Sequence, residues 1–300
     1  MIDPDLRQDD AAVVARSVAD ACRAVLKTAN PAAKVKAARR AARDWRLGRL
    51  AWAFDVAMPD RPTRPDQPVL LPPNRMPRRG KGGSEANRIA LLHAITHIEF
   101  VAIDLAFDLL GRFGAHFPRE FVDDWMRVGG EEAMHFALLD RRLHQLGSHY
   151  GALPAHDGLW EAADATVHDR LARLAIVPMV LEARGLDVTP QVIARLEAAG
   201  DMVSARPLRR ILVDEVRHVG AGVKWFRFGC VARNDSPIDT WHALVAAHFG
   251  GLIKPPFNDS ARAAAGLTTE FYMAVAGPYA HAAEKFRRRG RGNSQANSVK

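Results

Sequence analysis

Apolar residues recur at three- and four-residue spacing along most of the chain, and no alternating run competes, so the pattern predicts an all-α protein. Two N-terminal helices are expected, over Ala11 to Ala29 and Ala32 to Trp52, both rich in alanine and arginine. The periodicity then fails. Seven prolines between Pro59 and Pro77, followed by Gly80, Gly82 and Gly83, make 58–83 an irregular connector. Ser84 offers an N-cap to a long helix ending near Phe113. After the turn Gly114 to Pro118, with Pro118 suited to a first helical turn, a second helix runs to about Leu146 and stops at Gly147.

A third long segment begins near Leu159, carries Pro178 and is expected to break at Gly185-Leu186-Asp187-Val188-Thr189-Pro190 before resuming to Ala199. A fourth helix spans about Ser204 to Cys230, and weaker ones cover Pro237 to Phe249 and Ala261 to Arg288. The expected organisation is an N-terminal helical arm (1–57), the connector (58–83), a four-helix bundle (84–233) and a C-terminal helical extension with a basic tail (234–300).

The four bundle helices carry a repeated pattern, Glu99…Glu132-x-x-His135 and Glu182…Glu215-x-x-His218, with 33 residues between the first and second glutamate in each copy. Residues level with each other in an antiparallel hairpin are equidistant from its turn. The midpoints of the two glutamate pairs fall at 115–116 and 198–199, on or beside the turns placed from glycine and proline. Each hairpin thus carries its glutamate and its Glu-x-x-His at one height, about 25 Å from the turn at a rise of about 1.5 Å per residue. Residues three apart share a helix face. Four glutamates and two histidines projecting inward from four helices are the ligand set of a dinuclear carboxylate metal site. The surrounding face is apolar, and carboxylates buried there need partners or metal. A lone Glu-x-x-His would carry little weight; two copies with matched partners carry much more.

Composition narrows the rest. The formal charge of +8 is concentrated in two runs, Arg78, Arg79 and Lys81, and Lys285, Arg287, Arg288, Arg289 and Arg291. Such runs attract nucleic acid or anionic membrane, or are a solvated tail, and no RNA-binding module with interleaved aromatics is present. Cys22 and Cys230 alone exclude a four-cysteine zinc site and fit a reducing cytoplasm. The acidic start Met1-Ile2-Asp3-Pro4-Asp5 lacks a signal peptide's regions, and no membrane span is expected.

These residues resemble the ferritin-like di-iron carboxylate superfamily and, within it, a bacterial ferritin-like domain family of unknown function (DUF455). The resembling stretches are His93 to Ala106, Glu131 to Leu143, Gly147 to Pro154, Val177 to Pro190 and Asp214 to Phe226. The resemblance implies that Glu99 and Glu182 are terminal carboxylates, that Glu132 and Glu215 bridge, and that His135 and His218 each cap one metal. It implies further that Asp214 orients His135 and that Glu131 orients His218. An imidazole ligand usually gives its other N–H to a carboxylate or carbonyl. A local pairing or ligation of Glu131 with His135 is the alternative. Gly129-Gly130 departs from a regular helix, marking a bulge, a close helix contact or a slightly degraded copy of the site, and the Gly185–Pro190 break suggests a bulge or unwound segment that opens access to the metals. His93 and His97 are ordinary helix-face residues or a cap on the pocket, and Tyr150 is expected too far from the site for a radical role.

The implied cofactors are two iron ions, and manganese or a mixed pair could occupy the same oxygen-rich set. The first expectation is an O₂-dependent oxidase or hydroxylase acting on an unidentified small molecule; a distant resemblance to a tRNA-modifying hydroxylase makes RNA a lesser candidate. Iron or peroxide handling without an organic substrate is the second. A helical scaffold stapled by metal is the third, and it would leave no open coordination position.

Overall fold

A computed structural model describes residues 16–77 and 84–276; the two basic runs, the start of the expected helix Ala11 to Ala29 and the end of the expected helix Ala261 to Arg288 lie outside them. The architecture is all-α. Among the described residues β-structure is limited to two single bridges, Ser17 with Ala51 and Leu70 with Ala155.

Two short helices lead, α1 (Val18–Leu26) and α2 (Pro31–Arg46). Ser17 and Asp20 form a reciprocal capping box on α1, and Asn30 caps α2 with proline at its first position. The second helix ends well before Trp52 because Gly48 takes a left-handed φ of 67°, the usual helix stop.

The bundle follows. Ser84 accepts a hydrogen bond from Asn87 N and starts α3 (Glu85–Phe113), and a 3₁₀ turn over Gly114–His116 leads into α4 (Arg119–Gln145). The third bundle element is composite: α5 (Gly158–Asp164), then α6 (Arg170–Ile176), a π-helical stretch Val177–Glu182 and α7 (Ala183–Ala198). The split between α5 and α6 is local competition. Asp169 turns its carboxylate onto Leu171 N and Ala172 N, and the Thr166 hydroxyl donates to Ala163 O. Asp201 caps α8 (Met202–Val231), and α9 (Pro237–His248), α10 (Asp259–Ala264) and α11 (Thr269–Tyr272) pack outside the bundle.

The expected break at Gly185–Pro190 is absent, and α7 runs through both residues. Pro190 cannot donate to the Leu186 carbonyl one turn back. Asn258 Nδ2 donates to that carbonyl instead, at 3.1 Å, while Arg262 and the Asn258 backbone N–H bind Asp187. The C-terminal segment thus satisfies what the proline frees. The irregularity lies earlier, where Pro178 removes a helical N–H and the helix widens to π geometry up to Glu182.

The main apolar core joins α1 and α2 to the bundle and reaches α9 and α11, with Phe107, Trp125, Phe226, Trp241 and Phe271 fully buried. A smaller cluster around Leu92, Leu139, Leu143, Leu208 and Ile211 closes the other end of the bundle. The polar residues described next lie between these two apolar layers. Glu85–His116 is long and apolar enough to cross a membrane by length and composition only, and 67% of its most apolar stretch is buried inside the fold.

Candidate metal centre

Four helices bring the repeat together. His135 Nδ1 lies 3.2 Å from Glu99 Oε2, 3.4 Å from Glu132 Oε2 and 4.0 Å from Glu215 Oε1. His218 Nδ1 lies 2.7 Å from Glu132 Oε1 and 3.4 Å from Glu215 Oε1. One ligand atom each from Glu132, His135, Glu215 and His218 can be chosen within 4.8 Å of one another. Glu182, at the end of the π stretch, faces Glu215, Glu132 and Glu99 closely enough for their charges to act on it. Both histidines are fully buried, whereas the Glu215 side chain keeps 12% exposure, so the cluster is more accessible on its α7–α8 side.

The outward nitrogens are crossed between hairpins. His135 Nε2 donates to Asp214 Oδ2 at 3.1 Å, and His218 Nε2 donates to Glu131 Oε2 at 2.9 Å. This is the crossing that the resemblance implies for Asp214 and Glu131, and it leaves both Nδ1 atoms facing the carboxylates. Arg217 and Arg210 complete the outer ring, which the sequence reading missed. Arg217 Nη2 donates to both Asp214 (2.5 Å) and Glu131 (2.9 Å), and Arg210 Nε donates to Asp214 at 2.6 Å. Their three- and four-residue spacing from Asp214 on α8 was the available signal.

Electrostatics set the donors apart. Burial pushes Glu99 up to about 8, with Glu132 and Glu215 adding to it and His135 opposing. Burial and the neighbouring carboxylates push Glu182 well above the ordinary range. For Glu132 burial acts upward, but His218 and His135 overcome it and hold the carboxyl below its usual value. Burial disfavours the His135 cation, yet Asp214, Glu132 and Glu99 raise it to about 12, and carboxylates likewise hold His218 well above its ordinary value. The cluster therefore holds protons tightly and shares them among its members.

Donor chemistry fits a metal. Glu99 Oε2, Glu132 Oε2, Glu182 Oε2, His135 Nδ1 and His218 Nδ1 are buried and lack a hydrogen-bond partner, and all belong to this one cluster. Buried orphans of this kind call for a partner, and an oxygen-rich set with two imidazoles suits iron or manganese.

The remaining expectations resolve locally. Gly129 and Gly130 are close helix contacts within a continuous α4: an added Cβ would sit 2.6 Å from the Phe107 ring and 3.0 Å from Ala42 Cβ, respectively. His93 and His97 serve the loop after α4. His93 Nε2 accepts from Gly151 N at 3.0 Å, and His97 donates through Nε2 to His156 O and accepts from the Tyr150 hydroxyl at 3.0 Å. Burial lowers them to about 4 and about 3, so both stay neutral acceptors. Tyr150 packs with ring centroids 5.1 Å from both Phe100 and Phe136, the neighbours in sequence of Glu99 and His135, so it lies one aromatic layer from the cluster.

Comparison with known proteins places the chain. Residues 27–273 match a family described as "Protein of unknown function (DUF455)". An uncharacterized protein of Haemophilus influenzae is 40% identical over 210 residues, covering 68% of this chain and 73% of that relative. No solved structure matches. The chain belongs to the DUF455 family.

Proposed function

We propose that this chain is a ferritin-like dinuclear iron protein acting as an O₂-dependent oxidase or hydroxylase. The observation that carries the reading is the pair of buried Nδ1 atoms turned into the carboxylates of Glu99, Glu132 and Glu215, each imidazole held from behind by an acid of the opposite hairpin. Glu132 and Glu215 would bridge, Glu99 and Glu182 would bind at the flanks, and His135 and His218 would cap one iron each. A bound iron pair would supply the electrons and the open coordination position that dioxygen chemistry requires.

The protein's own contributions follow from its residues. Asp214 and Glu131 fix the imidazole tautomers, and Arg217 and Arg210 hold those acids in place. The apolar layers on either side exclude water. The π stretch ending at Glu182 supports access there, because helices carrying π turns often do so at functional sites.

Anaerobic Fe(II) titration followed by oxygen, on wild type and Glu132→Ala, tests this reading. Two irons per chain and an oxygen-dependent absorbance, both lost in the variant, are expected on the four-carboxylate stoichiometry. Tight zinc binding without any oxygen response would sink it, and sustained turnover to mineral iron would move the assignment to iron storage.

A further inference from the structure

The face built by α2 and α4 carries charge that the metal reading does not use. The two helices run antiparallel, with Ala42 against Gly130 and Trp45 against Asp123 and Arg119. A groove of about 950 Å³ lies between them. Lys36, Arg39, Arg40 and Arg46 line it from α2, and Arg119 and Arg127 from α4. All six are exposed. Spacings of three and four residues put the α2 cations on one side of that helix.

These cations are largely unpaired. Arg119 lies over the Trp45 ring, and Arg43, also in the lining, pairs with its neighbour Asp44. The other five have no ion-pair partner among the described residues. The groove's two acids are already engaged, Asp123 by Trp45 Nε1 and Glu131 by Arg217 and His218. Like charges at this density repel one another, and a ligand with repeated negative charge relieves that repulsion.

We infer that the α2–α4 groove binds the sugar–phosphate backbone of a single-stranded nucleic acid. Guanidinium groups match phosphate oxygens in fork geometry, and six of the seven cations are arginines, of which Arg39, Arg40, Arg46 and Arg127 are available for such contacts. From Lys36 to Arg46 the row extends about 15 Å at 1.5 Å per residue, longer than an isolated phosphate needs. The cations line a recess, which a thin strand enters and a flat bilayer does not. The apolar lining residues Trp45 and Met126 are 3% and 1% exposed, so nothing there inserts into lipid or stacks on bases. Recognition is accordingly by backbone charge and tolerant of sequence. Glu131, the acid behind His218, also lines the groove, so a bound strand passes the outer edge of the buried cluster. The inference holds whichever metal the cluster takes.

The test uses the full chain and a fluorescent single-stranded RNA about 20 nucleotides long, with the DNA of the same sequence, its duplex and anionic lipid vesicles as parallel probes. The groove variant is Arg39→Glu/Arg40→Glu/Arg127→Glu, and Arg288→Gln/Arg289→Gln is the control for the terminal basic run. For three to four phosphate contacts, wild-type affinity should fall about 15- to 60-fold between about 50 and 200 mM salt. The groove variant should lose at least about tenfold in affinity and show a shallower salt dependence, while the tail variant binds like wild type. Should the triple variant lose its unfolding transition, Arg40→Gln alone must still reduce the salt slope. No binding by wild type, equal binding by the groove variant, or binding only to duplex or to vesicles overturns the proposal.

Discussion

His135 on α4 donates its Nε2 proton to Asp214 on α8 at 3.1 Å, so a carboxylate of one hairpin sets the tautomer of an imidazole belonging to the other. The reciprocal bond from His218 to Glu131 makes the two hairpins mutually dependent for orienting their donors. Asp214→Asn keeps the shape and can still accept a hydrogen bond, but it loses the charge that holds His135 and Arg217. Metal affinity is expected to fall about 10- to 100-fold with the helical content unchanged. Competitive Fe(II) titration against a chelator, with circular dichroism on the same samples, measures both. Unchanged affinity would show that the crossed bond does not tune the site.

Proton and metal compete for one set of lone pairs, which fixes a pH dependence. Glu99 is raised by burial to about 8 and His135 by its carboxylate partners to about 12. Both folded values lie above the unfolded ones, so their stabilising contributions are complete at low pH and are lost as pH rises. For Glu99 the loss spans its ordinary value of 4.5 to about 8. Glu132 and Asp214, held low, contribute in the opposite sense, and their contributions vanish only as pH falls below the ordinary carboxylate range. Chelator-treated protein should therefore lose stability from about pH 5.5 to 8.5, and metal should restore most at the alkaline end. Urea midpoints with and without Fe(II) test it. Stability of the chelated protein that rises across that window contradicts the assignment.

Gly129 and Phe107 predict a stability effect away from the donors. An added Cβ would meet the buried Phe107 ring at 2.6 Å, whereas at Gly130 it meets only the Ala42 methyl at 3.0 Å. Gly129→Ala is expected to cost about 1–3 kcal/mol through overpacking, despite a gain in helix propensity of about 1 kcal/mol. Gly130→Ala should cost distinctly less. Adding Phe107→Leu to Gly129→Ala should recover part of the loss, a coupling readable from thermal unfolding of the four proteins in the cycle. Additive effects would mean that the two side chains do not share that space.

Much of this was readable from spacing. Matched 33-residue separations and glycine–proline turns located both hairpins, because ligand height and turn position are tied by one rise per residue. Ser84 announced a helix start through short-range capping. What escaped depended on partners distant in sequence. Pro190 looked like a break because nothing local reveals that Asn258 will take the Leu186 carbonyl. His93 and His97 looked like plain face residues because their partners, Gly151, Tyr150 and His156, lie more than 50 positions away. The groove was hidden for the same reason. The Arg-rich pattern of α2 reads as a solvated helix until α4 sets Arg119 and Arg127 opposite it.

Gly222 lies one turn after His218 on α8 and faces Pro178, where the π stretch begins. A Cβ there would stand 2.5 Å from Pro178 Cβ and 2.6 Å from its Cγ, and the rigid ring cannot rotate aside. Gly222→Ala therefore displaces the segment that ends at Glu182, while Glu99, Glu132, His135 and Asp214 stay supported by α3, α4 and α8. On the proposed assignment, the metal that depends on Glu182 is weakened more than the one that depends on Glu99. The expected result is an Fe(II) titration resolved into two unequal steps, the weaker shifted by about tenfold or more, as loss of ligand positioning implies. Pro178→Gly in the same background removes both the Cβ and the ring and should bring the steps back together. Equal weakening of both steps, or none, would show that α8 does not set the position of Glu182 through this contact.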